Sequence, residues 1–289
     1  MVAISQSGSD PNDNIPDSDR ASSLDGVTHS GHQKGVQLEI ELRQSLEAKS
    51  IRIPSLHLLF SAEHDTVFAI TVRGKDALYC WEQLHAIKTE TGFSPLIVGD
   101  RQDVVDLIEN GLRIGISVPP QEILERRRHI DPREWLSLRF NSPERFIKGM
   151  WEELVEGEWS EEKSEIPISL LHDYREQIHE MATIVLIPTS NSLNAPAFLK
   201  FGNFNDCPRS EEHVALLKHW NKRYGIEVMG MNSQSMALRV KNPPSDRDEA
   251  YTLAKDLYTY TEGDGVNSQS RRGFASTLLN ASVWNLWWD

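Results

Sequence analysis

Cysteine is scarce: Cys80 and Cys207 are the only thiols in 289 residues. Two cysteines so far apart do not make a disulfide framework, so the expected compartment is the cytoplasm. Long apolar runs are missing as well, and none approaches the roughly 18 residues that span a bilayer. Positive charge is in deficit, with 30 basic residues against 43 acidic ones and a net charge of −13. A nucleic-acid backbone or an anionic membrane surface calls for a basic footprint, so neither partner is expected. A basic protein is the partner that this balance suits. Residues 1–35 lack the basic start and apolar core of a secretory signal. They are rich in Ser, Asp, Gly, Asn and Pro, and apart from Met1 their large aliphatics are Val2, Ile4, Ile15, Leu24 and Val27. So little apolar surface cannot offset chain entropy, and 1–35 reads as a disordered tail.

Standard catalytic signatures are also absent. The chain has no Gly-x4-Gly-Lys-Ser/Thr phosphate loop, no Gly-x-Gly-x-x-Gly, no Gly-x-Ser-x-Gly and no His-Glu-x-x-His. No cofactor and no metal site is read from the sequence.

What is present describes a globular α/β chain. Hydrophobic residues are 39%, and glycine brings the apolar share to about 45%. Residues 36–48 are ambiguous between strand and helix. Val67–Val72 is a short apolar strand, and 75–90 is a helix with Leu78, Trp81, Leu84 and Ile87 at helical spacing, stopped by Gly92. Pro95–Val98 reads as a strand, 101–110 as a helix, Leu112–Val118 as an alternating strand and 120–129 as a helix. Residues 130–165 read as connecting helix and loop. The stretch 152–165 holds seven glutamates and one lysine, either a solvated face or a docking surface for a basic partner. A soft boundary falls near 165. Beyond it, 168–181 reads as a helix with Leu171, Tyr174, Ile178 and Met181 on one face, and Thr183–Ile187 as a buried strand. Ser210 opens a helix that Gly225 ends. Ile226–Met231 and Met236–Val240 form a plausible hairpin. Ser245 caps a helix striped by Ala250, Leu253, Ala254, Leu257 and Tyr258. A helix over 271–281 precedes a strand over Val283–Trp288.

The expected class is α/β (α+β), with mixed β-sheets flanked by helices. The expected division is a tail over 1–35, an N-terminal α/β domain over 36–165 and a C-terminal α/β domain over 166–289. The two domains read as related, each with a tryptophan-bearing helix, a glycine and an apolar strand (Trp81, Gly92, Leu96; Trp220, Gly225, Val228).

The C-terminal third carries a distinctive string. It runs through Pro196-Ala197-Phe198, Phe201-Gly202-Asn203-Phe204-Asn205-Asp206-Cys207-Pro208 and His213-Val214-Ala215-Leu216-Leu217-Lys218-His219-Trp220. Tyr224-Gly225-Ile226-Glu227, Pro243-Pro244, Glu249-Ala250 and Leu253-Ala254 follow, and the string closes on Trp284-Asn285-Leu286-Trp287-Trp288-Asp289. In order and spacing this resembles the bacterial domain-of-unknown-function family 4253, over roughly 95 to 107 residues. Its most specific pieces are the Asn-x-Cys-Pro segment and the terminal Trp-Trp-Asp. Family members often show Tyr-Cys-Pro-Asp after the penultimate helix, where this chain has Tyr260-Thr261-Glu262-Gly263-Asp264. The departure weakens any reading in which two family cysteines act together. The resemblance implies a domain and no activity.

Three constellations could carry chemistry. Cys207 lies beside Asn205 and Asp206 just ahead of a helix, where a thiol's pKa falls and a nucleophile can form; the alternative is a turn and cap around a half-buried thiol. His213 follows six residues later. His172, Glu176 and His179 would share one helix face, but the histidines would be about 10.5 Å apart, too far for one small ion. Trp284, Trp287 and Trp288 with Trp220 would line an aromatic pocket or, as the favoured reading, fill the core. Asp289 is expected at solvent or beside an arginine. The candidate binding residues are therefore Asn205, Asp206, Cys207, His213 and Asp289. Arg126-Arg127-Arg128 is expected to pair with the chain's own glutamates. The favoured function is a non-catalytic protein-binding module with an acidic surface, an immunity-type protein being one instance. The alternative is an enzyme of unfamiliar reaction built on Asn205, Asp206, Cys207 and His213.

Overall fold

The computed structural model describes residues 29–54, 56–61, 66–109, 118–160, 167–263 and 270–289. Helices are α1 (His29–Ala48), α2 (Gly74–Ala86), α3 (Lys88–Thr91), α4 (Arg101–Leu107), α5 (Pro120–Arg126), α6 (Pro132–Phe140), α7 (Ile147–Glu153), α8 (Ala195–Leu199), α9 (Ser210–Tyr224), α10 (Arg247–Thr261) and α11 (Arg271–Leu278). Strands are β1 (His57–Ser61), β2 (Thr66–Arg73), β3 (Ser94–Gly99), β4 (Met181–Ile187), β5 (Ile226–Met231), β6 (Ser235–Val240) and β7 (Val283–Trp287). Among the described residues no helix is long and apolar enough to cross a membrane.

The strands form one mixed sheet in the order β1-β2-β4-β3-β5-β6-β7. Only the β3–β5 pair is parallel; the others run antiparallel. Strand β4, which follows residue 165, lies between β2 and β3, which precede it. The segments on either side of residue 165 thus contribute to a single continuous sheet.

The apolar strands reflect this sheet's position. Successive side chains of a strand point to opposite faces. Leu96, Val98, Val185, Ile187, Val228, Leu238, Trp284 and Leu286 join one buried cluster. Phe68, Ile70, Ile97, Ile184, Leu186, Met229 and Ala237 join the other. Both faces are covered, so the central strands β3 and β4 are apolar almost throughout, whereas Glu227, Arg239 and Asn285 interrupt β5, β6 and β7. Helices α1 and α2 cover one face through Leu42, Leu46, Ala77, Trp81 and Leu84. Helices α6, α7, α9, α10 and α11 supply apolar residues to the other face. The two tryptophan-bearing helices therefore sit on opposite sides, Trp81 in one cluster and Trp220 in the other.

Local chemistry sets many ends. Asp100 accepts from the backbone of Gln102 and Asp103, and Asp103 returns a bond to Asp100, closing a capping box on α4. Asp131 caps α6 ahead of Pro132. Gly92 and Gly225 end α3 and α9 in the left-handed conformation.

Several expectations change. Of the expected tail, 1–28 lies outside the described residues, but 29–35 is helical, so regular structure starts by His29 and not near Val36. The ambiguous 36–48 stretch belongs to this helix. The expected strand over Leu112–Val118 and residues 161–165 of the glutamate run also fall outside the described residues, apart from Val118. Helix α10 is capped by Asp246, whose carboxylate accepts from Glu249 N at 2.8 Å, and not by Ser245. The largest change is at 168–181, which is not a helix. A short 3-10 turn at Ser169–Leu171 leads into a tight loop in which His172 bridges Ile178. The Asp173 carboxylate accepts from Arg175 N and Gln177 N at 2.8 and 2.9 Å. That side chain offers the backbone donors an alternative to helical carbonyls. Glu176 sits at φ 61, and Tyr174 is 86% exposed.

Asp256 on α10 is half-buried, and burial pushes its carboxyl up to about 6. An acid raised in the fold is penalised once ionised. The native state therefore loses stability as pH rises from the unfolded value near 4 through about 6. Asp256→Asn should raise Tm at pH 7.5 and leave it nearly unchanged at pH 4. An equal gain at both values would show that ionisation is not the cause.

Candidate functional site

The site grows from the segment after α8. Lys200, Gly202, Asn203 and Asn205 all adopt positive φ, at 55, 99, 65 and 42°. Glycine and asparagine tolerate this region best, which is why three of these four positions hold them. The loop is closed by Asn203 N donating to Pro208 O at 3.0 Å and by Cys207 N donating to Phe204 O at 2.8 Å. The Ser210 hydroxyl donates to Phe201 O at 2.7 Å and ties the loop to α9. The effect is to fold Cys207 back onto the first turns of α9.

There the thiol meets His213. Cys207 Sγ lies 3.4 Å from His213 Nε2, and His213 Nδ1 shares a hydrogen bond with the Tyr260 hydroxyl from α10. Trp288 Nε1 donates to Tyr260 O at 3.2 Å. The imidazole is fully enclosed, with the Phe201, Trp288 and Tyr260 rings centred 4.8, 5.1 and 5.3 Å away.

An ionic layer lies beside this core. Arg139 of α6 donates through Nε to Thr259 O at 3.1 Å and pairs with the Glu262 carboxylate at 2.7 Å. Its guanidinium also donates to Asp206 O. Arg145 bridges the Asp206 carboxylate, at 3.0 Å, and Glu262. Glu262 itself sits at φ 53 directly after α10. Burial raises its carboxyl against the downward pull of Arg139 and Arg145.

Burial dominates the electrostatics. It pushes the Cys207 thiol up well beyond the ordinary range, and the nearby Arg139 only partly opposes this. It pushes the His213 imidazole down to about 3, helped by Arg139. It raises the Tyr260 phenol well above 10. Desolvation disfavours each charged form. A helix N-terminus would lower the thiol, so the environment acts in the opposite direction to that effect.

Three clefts open around the loop. One of about 310 Å³ is lined by Asn205, Asp206, Cys207, Thr261, Glu262, Trp288 and Asp289. A second, of about 460 Å³, lies between Trp135, Leu138 and Arg139 on α6 and Asn203, Cys207 and Arg209. The third, of about 770 Å³, reaches from Lys200, Asn203 and Asn205 to Ser233, Gln234 and Asp289.

The five residues singled out in the sequence thus share one neighbourhood. Asn205 Nδ2 donates to Asp289 O at 3.0 Å, Asp206 pairs with Arg145, and Cys207 contacts His213. The sequence did not point to Tyr260, Arg139, Arg145 or Glu262. These reach the site across sequence gaps of 47 to 120 residues, with no spacing to mark them. The cluster of Gly and Asn at 202–205 was the one available signal. The other constellations separate. His172, Glu176 and His179 do not share a helix face. Trp284 and Trp288 are core at 2% and 1% exposure, whereas Trp287 is 39% exposed. Arg126 and Arg128 pair with Glu122 and Glu125 on the same stretch.

Residues 183–289 match a family model described as a domain of unknown function, DUF4253. The match starts within β4 and takes in the loop, α9, α10 and β7, but not α6. No curated protein and no solved structure matches the chain.

Proposed function

We propose, from the premise of a C-terminal DUF4253 domain, that this chain is a non-catalytic binding protein of the cytoplasm. It would receive a basic protein partner on the surface that the 200–206 loop organises. One observation carries the reading: the thiol and imidazole that look reactive in sequence are buried and uncharged at neutral pH. A cysteine acts as a nucleophile through its thiolate, and a base must hold a proton in the working range. On this reading Cys207, His213 and Tyr260 brace the strained loop, while Asn203, Asn205 and Asp289 face the open clefts. The net charge of −13 sets the sign of the partner. Part of the glutamate run is already engaged, since Glu156 pairs with Arg271 and Arg272. Glu153 and Glu158 are exposed on the same stretch.

A second reading has its own observation. The 3.4 Å contact between Cys207 and His213, with Tyr260 behind the imidazole, is the order of nucleophile, base and orienting group. It would make the chain an enzyme with Asn205 and Asp206 beside the reacting atom.

Iodoacetamide labelling of the native protein separates the two. At pH 7 Cys207 should react slowly and more slowly than Cys80, whose thiol is raised only to about 11. Both should react alike once urea unfolds the chain. Rapid labelling confined to Cys207, and lost in His213→Ala, would establish the enzyme reading instead. On the binding reading, affinity capture from native lysate should return a basic protein that salt releases.

A further inference from the structure

We infer that Asp100, Asp103 and His179 form a binding site for one divalent transition-metal ion. One ligand atom from each of the three lies within 4.8 Å of the other two. Three separate local arrangements bring them together. Gly99 at the end of β3 has φ 127, and a Cβ there would meet Asp103 Oδ2 at 2.1 Å, so the missing side chain makes room for that carboxylate. Asp103 is held over the strand end by Asp100 N, which donates to it at 2.9 Å. His179 follows the 172–178 loop, its N donating to Leu171 O at 2.9 Å. Strand β4 runs antiparallel to β3 with Thr183 opposite Gly99, so the residues just before β4 arrive beside Asp100.

The surroundings suit a ligand set. Asn232, in the β5–β6 turn, donates to Asp103 Oδ1 at 2.6 Å and fixes its orientation from outside. Such outer partners aim and tune metal ligands. The three residues lie at the carboxyl ends of the parallel β3–β5 pair, and β4 on the other side of β3 runs the opposite way. Asp100 and Asp103 are half-buried carboxylates that approach each other at the end of β3. A divalent cation cancels both charges. The imidazole nitrogen selects the chemistry: Ca²⁺ and Mg²⁺ prefer oxygen alone, whereas Mn²⁺ and Zn²⁺ accept a mixed nitrogen and oxygen set. The same turn also touches the thiol neighbourhood, because Gln234 O accepts from Trp288 N at 2.9 Å. The three ligands make no contact with Cys207, so the site holds under either reading of that thiol.

Mn²⁺ added to the full chain is the probe, followed by paramagnetic broadening of amide resonances. At one equivalent the amides of Asp100, Asp103, His179 and Asn232 should broaden first. Zn²⁺ should reverse the effect and equimolar Mg²⁺ should not. His179→Ala should weaken Mn²⁺ binding by about tenfold or more, with an unchanged circular dichroism spectrum. If that variant fails to fold, Asp103→Asn, which keeps an oxygen acceptor, is measured and should show the same loss. Broadening centred elsewhere, or equal affinity in the folded variant, would overturn the site.

Discussion

Trp288→Ala should lower the free energy of unfolding by about 3–5 kcal/mol, the range for truncating a large buried aromatic side chain. Trp288 is 1% exposed and packs its ring against Phe201, His213 and Tyr260, with centroids 5.4, 5.1 and 5.1 Å away. Its indole N–H donates to the Tyr260 carbonyl, which sits in the last turn of α10. Truncation therefore leaves a cavity, strips three rings of a partner and orphans a buried acceptor. The surroundings come from β7, α9, α10 and the 200–206 loop, so they cannot all relax inward together. Urea unfolding followed by far-ultraviolet circular dichroism measures the loss. A cost under about 1 kcal/mol would mean that the site refills, and would count against a tightly packed brace.

Gly202→Ala should cost about 2–6 kcal/mol, by a different route. A residue with a side chain held at positive φ carries roughly 1–3 kcal/mol of strain. Gly202 has φ 99, and its Cβ would meet Pro208 O at 2.0 Å and the His213 ring at 2.9 Å. Overpacking of that kind adds about 1–3 kcal/mol. The Pro208 carbonyl accepts from Asn203 N, and yielding space would break the loop's own closure. The same denaturation series reads this variant. Cys207 alkylation provides a second readout, since a loop forced open should expose the thiol and speed its labelling. A stable variant with an unchanged labelling rate would show that the loop has room to spare.

Much of this fold could be read from the chain because local signals agreed. The apolar runs at Val67–Val72, Pro95–Val98 and Thr183–Ile187 sit within strands, and Gly92 and Gly225 end helices where expected. The site was legible at one end only. Asn205, Asp206, Cys207 and His213 are close in sequence, whereas Arg139 and Tyr260 arrive through tertiary packing that no periodicity encodes. At 168–181 the apolar spacing misled, because one aspartate took the backbone donors that a helix requires. Tyr174, Ile178 and Met181, which look like a buried stripe, are exposed in consequence. The thiol's direction of shift was equally out of reach. It depends on how deeply a loop is buried, and a string of residue types does not state depth.

The position of β4 also sets an order of events during synthesis. Phe68 of β2 pairs with Leu186 of β4, more than a hundred residues downstream. Until that stretch leaves the ribosome, β2 and β3 each lack the neighbour that joins them, and each presents an unpaired edge. At an elongation rate of about 5–20 residues per second the gap lasts roughly 5–25 s. Unpaired apolar edges are templates for pairing with other chains. The nascent first half thus presents two apolar strand edges that β4 covers only once it is made.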